Sequence, residues 1–314
     1  MSELQTAQSE MEYHISAFTP FDDNGDIGFD KIDDYVKYIA SLKVDGISIM
    51  GISGEGMSMT IEERKKTAEK FLAATKKHGI KYVNINVSSM CIKDIQELAA
   101  HADLHGASSV SVLPNMFHKP TCAGEIIDYL ETISHVLNSA KIVYINVPEV
   151  TGVYTRAVDI IEFGSKMPKF GGLHDSGVDL TDLSRTIWAS KKYPHLSVFC
   201  SRNVDIVPTL AVGCTKFIGP SLNFCLPVYR QICNNYKTEL GIKQQQELLA
   251  ALSVCCKYGL NVSMLKACTE KIAGIELGSV RKPMHKCRPE IINAMDAELS
   301  AMDFWNKLKI SNNN

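Results

Sequence analysis

The feature that most constrains the fold is a regular alternation of short apolar segments with longer amphipathic ones. Apolar, β-prone segments predict eight strands, at 13–19, 46–52, 81–89, 108–114, 141–148, 170–175, 196–201 and 215–220. Stretches of helical period lie between them. One begins at Thr60, has Glu63 three residues later as in a capping box, and ends at His78-Gly79.

This alternation predicts an α/β fold, a (β/α)8 TIM barrel, over residues 13–221. An open doubly wound sheet would place a glycine-rich phosphate turn after the first strand. The sequence has "TPFDDNGDIG" there instead, with no GxGxxG, so the barrel is favoured. After residue 221 only helical patterns remain, which predicts a C-terminal helical extension, residues 222–308, packed on the barrel.

Composition excludes several classes of partner. The chain has a net charge of −2, which provides no basic surface for nucleic acid or an anionic membrane. No apolar run approaches the roughly 20 residues of a membrane span. The first residues are polar and acidic, unlike a leader, and the ten cysteines are scattered without a CxxC pair. We therefore expect a cytoplasmic protein with reduced, mostly buried thiols.

Five segments resemble the N-acetylneuraminate lyase and dihydrodipicolinate synthase family, a family of class I aldolase barrels. They are "AFTPFDDNGDIGFDKIDDYV", "GISGEGMSMTIEER", "YINVPEVTGV", "GGLHDSGVDL" and "GSVRKPM", and the resemblance runs from about residue 13 to about residue 308. The "AELSAMDF" tail favours the lyase branch over the synthase branch.

The resemblance implies a mechanism without a cofactor. In this family a lysine on the sixth strand forms a Schiff base with pyruvate or another 2-oxo acid. A tyrosine on the fifth strand, held by a hydroxyl of the second-strand motif, moves the proton. The resemblance also implies a homotetramer, with active sites at the carboxyl ends of the strands.

The residues that carry this chemistry are replaced here. His174 stands at the lysine position, and an imidazole cannot condense with a ketone to give the imine. The tyrosine position is Ile145, and the second-strand hydroxyl position is Ile52, neither of which can pass a proton. Tyr144 is adjacent to Ile145, but strand alternation points it away from the barrel interior unless the strand bulges.

Other residues of the family's site are compatible with a pocket for a small ligand. The segment after the seventh strand is Ser201-Arg202-Asn203-Val204, without the two carboxylates that hold a sugar tail in the lyase branch. We therefore expect a site for a small carboxylate or 2-oxo acid rather than for a polyhydroxylated one. Its candidate residues are His174, at the catalytic position, and Ser53, Gly54, Tyr144, Ser201 and Asn203 as ligand-binding residues.

Three functions stay open at this point. The first is a non-catalytic or repurposed homologue, lacking aldolase activity but keeping a carboxylate pocket. The second is an active lyase or hydrolyase in which His174 is a general acid or base without a covalent intermediate. The third is an inactive subunit in a tetramer mixed with an active relative. The sequence also allows His174 to be a buried histidine bonded to a backbone carbonyl.

No metal site is expected from the spacing of ligand residues. Asp175 and Cys200 lie near His174 in the predicted barrel, but no motif with metal-ligand spacing supports a site there. His101 and His105 are four residues apart on a helix, which matches half of a zinc motif. Because no glutamate stands beside them in the sequence, we predict a solvated helix face.

Overall fold

Eight parallel strands close into a barrel in the computed structural model, which describes residues 11–202 and 204–309. Each strand pairs with the next, and the last pairs with the first. The strands are β1 (Glu12–Ser16), β2 (Gly46–Ile49), β3 (Tyr82–Asn86), β4 (Ser109–Val112), β5 (Lys141–Asn146), β6 (Phe170–Asp175), β7 (Ser197–Cys200) and β8 (Lys216–Gly219). The predicted (β/α)8 barrel is therefore confirmed.

Helices follow the strands on the outside of the barrel and continue beyond its last strand. Up to β8 they are α1 (Ile32–Ser41), α2 (Ile61–His78), α3 (Ile92–Leu104), α4 (Ala123–Ser134), α5 (Pro148–Thr151), α6 (Ala157–Gly164), α7 (Leu180–Ser190) and α8 (Ile206–Ala211). After β8 they are α9 (Leu222–Asn235), α10 (Glu239–Lys257), α11 (Val262–Ala273), α12 (Pro289–Ala301) and α13 (Phe304–Lys309). Short 3₁₀ turns at Phe29–Lys31 and Gly56–Ser58 complete the described elements.

The two faces of the strands carry different residues. Outward-facing aliphatic side chains such as Ile15, Ile47 and Val110 are completely buried between strands and helices, where they form the main core. Inward-facing positions are largely polar or aromatic, for example His14 and Tyr82, whose rings meet edge to face at 5.0 Å. Alternation along each strand thus separates an apolar outer layer from a polar barrel interior.

Helix α2 has the ends that its sequence predicts. The Glu63 backbone N–H donates to Thr60 Oγ1 at 3.2 Å, and the Thr60 N–H donates to Glu63 Oε2 at 2.8 Å, so the capping box is confirmed. The helix ends at His78, and the capping residue Gly79 is left-handed with φ +82°. These ends fix the helix directly after the loop that follows β2.

The helices after β8 are tied to the barrel by buried polar contacts. Asn223 of α9 donates from Nδ2 to the Ser16 carbonyl at 3.0 Å and accepts at Oδ1 from the Tyr35 hydroxyl at 2.7 Å. All ten cysteines are free, and six of them are buried. Within residues 11–202 and 204–309, no helix is both long and apolar enough to cross a membrane.

Candidate functional site

His174 lies near the carboxyl end of β6 and faces the barrel interior. Its strand register sets it beside Ile145 of β5 and Phe199 of β7, and both of these side chains belong to small apolar clusters separate from the main core. The Nε2 atom is inaccessible to water and has no hydrogen-bond partner among the described residues. The carbonyl partner expected for a purely structural histidine is therefore not found at this nitrogen.

The surroundings of His174 keep its ring neutral. Burial lowers the pKa of the imidazole to about 4, and the nearby His14 acts in the same direction. At neutral pH the ring thus has one N–H donor and one lone pair. His14 itself lies 3.3 Å from Glu12 Oε2, toward the amino ends of the strands. The imidazole of His174 can therefore take part in hydrogen bonding but does not carry a permanent positive charge.

Two further polar groups without partners lie at the same end of the barrel. Asn86, the last residue of β3, is in register with Ser111 of β4, and both occupy inward-facing positions of their strands. The Asn86 Nδ2 and Ser111 Oγ atoms are buried and without partners among the residues described. Buried polar atoms are normally satisfied. Three such atoms in one end of the interior are therefore consistent with a place for a polar ligand group or for water.

Asp175 follows His174 and is held by the neighbouring strands. The Asn146 amide donates to Asp175 Oδ1 at 2.6 Å, and the Ser201 N–H donates to the Asp175 carbonyl at 2.8 Å. Burial raises the pKa of this carboxyl to about 6, while the bond from Asn146 opposes the increase. Two adjacent residues thus have pKa values displaced in opposite directions, an arrangement that is frequent at functional sites.

The loop after β2 is built around Gly54 and Glu55. A Cβ atom on Gly54 would lie 2.7 Å from the Met50 nitrogen and 2.9 Å from the Ala17 carbonyl oxygen, so only glycine fits there. Glu55 is left-handed with φ 57°, and its buried carboxylate accepts from Lys266 Nζ at 3.0 Å. Ser53 precedes these residues and is partly buried.

Sequence reasoning missed the ion pair that anchors this loop. Lys266 of α11 donates to the Thr19 carbonyl at 2.8 Å, to the Ser279 carbonyl at 2.6 Å and to Glu55. The second oxygen of Glu55 accepts from the Arg281 N–H at 2.8 Å. Because Lys266 is distant in sequence and has no motif spacing to Glu55, only the three-dimensional packing reveals this pair.

Tyr144 is not brought to the site that we expected it to share with His174. It belongs to the main core between strands and helices, whereas Val143 and Ile145 on either side of it belong to the interior clusters. Its ring is 1% exposed, and burial raises its pKa, with Tyr129 of α4 adding to the effect. The register irregularity in β5 lies between Ile142 and Val143 and does not turn Tyr144 inward.

Ser201 lines a cavity at the carboxyl ends of β6, β7 and β8. The cavity measures about 310 Å³ and extends to α10 and α11. Its apolar lining consists of Val178, Val204, Pro220, Leu252, Cys256, Leu260 and Leu265, and its polar lining of Ser176, Ser201, Arg202, Asp205 and Ser221. Asn203, the other candidate of this loop, lies outside the described residues. The neighbouring Arg202 donates to the Gly177 carbonyl at 2.5 Å and pairs with Asp205 at 2.7 Å, so its charge is neutralised within the protein.

Comparisons with known proteins agree with this architecture. The sequence model described as "Dihydrodipicolinate synthetase family" matches residues 13–302. The N-acetylneuraminate lyase of Homo sapiens is 28% identical over 294 residues, which cover 92% of this chain and 91% of that protein.

Two solved structures show the same fold. The N-acetylneuraminate lyase of Proteus mirabilis has a TM-score of 0.86 at 23% identity and covers 94% of this chain and 99% of its own. YagE, a prophage protein of E. coli K12 from the dihydrodipicolinic acid synthase family, was solved in complex with pyruvate. It has a TM-score of 0.82 at 19% identity, with the same two coverages.

Proposed function

Because the chain belongs to the dihydrodipicolinate synthetase family, we propose that it is an N-acetylneuraminate lyase-like protein that forms no Schiff base. In this proposal it is a pseudoenzyme or a repurposed homologue that keeps a pocket for a small carboxylate. The observation that carries the proposal is the half-buried imidazole of His174, with its Nε2 atom inaccessible, at the position where the resemblance implies a lysine amine.

Imine formation needs a primary amine with a free lone pair, because the nitrogen must lose both hydrogens as it bonds to the ketone carbon. An imidazole has no such nitrogen. Lys266 is a buried amine, but it donates three hydrogen bonds, which uses all three N–H groups of its ammonium form. Lys141 and Lys216 begin their strands and so lie at the opposite end of the barrel from His174.

The proposal also includes loss of the proton relay, on the same resemblance. Ile145 is 4% exposed in an apolar cluster with Leu113 and Val147, and Ile52 is 49% exposed. Neither side chain can hold or move a proton. A mutation confined to the nucleophile would leave the relay intact, so the joint replacement supports a protein that has left aldolase chemistry.

The cavity near Ser201 supports a ligand less polar than a sugar acid. Most of its exposed lining is apolar, so a hydroxylated tail would leave hydroxyls without partners where it meets Val204 and Leu252. We propose that His174, Ser53 and Ser201, together with Asn203 and the backbone at Gly54, hold the carboxylate end of the ligand. The pyruvate bound to YagE is a ligand of this chemical class.

Three further parts of the proposal concern the setting of the protein. We propose that it is cytoplasmic and that it forms a homotetramer, as the family resemblance implies. A tetramer mixed with an active relative is the variant in which this chain serves as an inactive subunit. Co-purification with such a relative would single out that variant.

Borohydride trapping tests the loss of imine chemistry. The wild type and His174→Lys are incubated with pyruvate and sodium borohydride, and tryptic peptides are examined by mass spectrometry. We expect no adduct on the wild type and a reduced pyruvyl adduct at position 174 of the variant. An authentic N-acetylneuraminate lyase is the positive control, and circular dichroism verifies that the variant is folded.

An adduct on any lysine of the wild type would overturn the proposal. If neither protein is modified, the 2-oxo acid hypothesis fails, provided that thermal shift shows no stabilisation of the wild type by pyruvate. A ligand at 100 times its dissociation constant stabilises by about 2.7 kcal/mol, which such an assay detects readily.

The unpartnered Nε2 of His174 favours a second candidate, a lyase or hydrolyase without a covalent intermediate. With its pKa lowered to about 4 by burial, the neutral ring would accept a proton rather than supply one. Exchange of the C3 protons of pyruvate with deuterium, followed by proton NMR, tests this role. Exchange by the wild type that is lost in His174→Gln would establish it, and exchange equal to buffer alone would exclude it for this substrate.

A further inference from the structure

Three side chains of the types that can bind a metal ion meet on the outer surface between α2 and α3. His101 Nε2 lies 3.0 Å from Glu69 Oε1, and His105 Nε2 lies 3.9 Å from the same oxygen. One ligand atom from each residue falls within 4.8 Å of the others. The two imidazole rings are 4.2 Å apart between centroids. The glutamate that the sequence does not place beside the two histidines is thus supplied by the neighbouring helix.

The hydrogen bonds around His105 leave a lone pair facing this cluster. His105 Nδ1 lies 3.2 Å from the His101 carbonyl oxygen. A carbonyl oxygen only accepts, so Nδ1 carries the hydrogen and Nε2 of the neutral ring has the lone pair. Metal-binding histidines are commonly oriented by this kind of bond from the other ring nitrogen to a carbonyl.

Two of the three donor separations are close to those around a tetrahedral metal ion. With zinc-to-ligand bonds of about 2.0–2.1 Å, two tetrahedral donors lie roughly 3.4 Å apart. The observed separations from Glu69 Oε1, 3.0 Å and 3.9 Å, lie on either side of that value. The side chains of Glu69 and His105 are 50% and 35% exposed, so small rotations that close the geometry are open to them.

We propose that Glu69, His101 and His105 form a zinc-binding site whose fourth ligand is water. The set of two imidazoles and one carboxylate is one that Zn²⁺ accepts with a fourth position left open. The metal would join α2 to α3. It would lie toward the end of the barrel opposite to His174, because α3 ends at Leu104 just before β4 begins. The site is therefore independent of the proposed ligand pocket.

Two nearby ion pairs on the same side of the barrel differ from this cluster in their composition. One turn earlier on the same two helices, Lys65 Nζ pairs with Glu97 at 2.5 Å. At the end of α2, His78 pairs with Asp33 at 3.1 Å, and the remaining partner of that carboxylate is Lys77. Among the described residues, only the cluster at Glu69 adds a second imidazole to a histidine and carboxylate pair.

Zinc titration of three proteins tests the site. The wild type, His101→Ala/His105→Ala and the matched control His78→Ala are titrated with ZnCl₂ by isothermal calorimetry. Exposed thiols at Cys91, Cys122 and Cys256 are first alkylated in the folded protein, since they also bind zinc. We expect one zinc ion per chain for the wild type and the control, and no corresponding binding for the double variant.

Two further measurements make the result decisive. Glu69→Gln should weaken zinc binding by roughly tenfold or more, since even outer partners of metal ligands contribute that much. Cobalt added in place of zinc should give the visible absorption of a tetrahedral site with the wild type. The variants that lack a ligand residue should not show this absorption. Equal zinc affinity of the wild type and the double variant, with both folded by circular dichroism, would overturn the proposal.

Discussion

His174 and Asp175 are expected to make opposite contributions to stability between pH 4 and 6.5. Burial lowers the pKa of His174 from 6.5 to about 4 and raises the pKa of Asp175 from 3.8 to about 6. In this window the unfolded chain binds a proton at His174 that the folded chain rejects. The folded chain binds a proton at Asp175 that the unfolded chain has lost. The two effects therefore nearly cancel in the wild type.

The magnitude for His174 follows from its two pKa values. The interval of about 2.5 pH units corresponds to about 3.4 kcal/mol, at about 1.36 kcal/mol per unit. Relative to acidic pH, this contribution is fully present above pH 6.5 and is lost as the pH falls toward 4. Without the imidazole, the unfolding free energy should no longer gain this increase with pH. Only the decrease with pH that Asp175 causes should then be observed.

The magnitude for Asp175 is similar and its sign is reversed. The interval from 3.8 to about 6 corresponds to about 3.0 kcal/mol. Because the folded pKa is the higher one, this stabilisation is present below pH 3.8 and is lost as the pH rises through 6. Asp175→Asn should therefore leave only the rising trend of His174.

Urea denaturation of three proteins between pH 4.5 and 7 measures both effects. We expect the unfolding free energy of His174→Gln to fall relative to the wild type as the pH rises, and that of Asp175→Asn to rise. Each difference approaches a slope of about 1.4 kcal/mol per pH unit, the value for one proton. A His174→Gln curve parallel to the wild type would refute the reasoning, since it would mean that the imidazole titrates equally in both states.

Three other substitutions test the packing around the site. Glu55→Gln should cost about 3–5 kcal/mol, because it leaves the Lys266 ammonium buried without its counter-charge. Thr60→Ala should cost about 1 kcal/mol by removing the capping-box acceptor of α2. Gly56→Ala should prevent stable folding, since the new Cβ would lie 2.0 Å from the Met50 carbonyl oxygen. Unfolding free energies in urea, or the yield of folded protein for Gly56→Ala, check each change.

Matched controls decide whether these losses are specific. Glu97→Gln removes an exposed pair with Lys65 and should leave the unfolding free energy almost unchanged, in contrast to Glu55→Gln. Adding Lys266→Met to Glu55→Gln should restore part of the lost stability. A double variant whose loss equals the sum of the single losses would contradict the inferred pairing. A Thr60→Ala protein as stable as the wild type would show that water replaces the cap at no cost.

Local patterns in the sequence were enough to predict the barrel and several of its details. Short β-prone segments separated by helical periods allow few topologies, and the capping box at Thr60 depends on residues only three apart. The inward position of His174 and the outward position of Tyr144 both follow from the two-residue period of a strand. Interactions within one element are thus predictable from the order of its residues, because neighbours in the chain are also neighbours in space.

Contacts between elements were not predictable in the same way. Glu55 and Lys266 are separated by more than half of the chain, and Glu69 meets His101 through the packing of two helices. Such pairs depend on the rotation and height of one element against another, which no local pattern encodes. This is why the zinc motif appeared incomplete when only the helix that carries His101 and His105 was considered.

The cavity near Ser201 shows how this limit affects functional inference. Motif positions indicated that the sugar-binding carboxylates are absent, but they gave no sign that Leu252 of α10 and Leu265 of α11 line the cavity. The same cavity also has polar side chains at Ser201, Arg202 and Asp205, so its lining fits a ligand with one polar end and one apolar end.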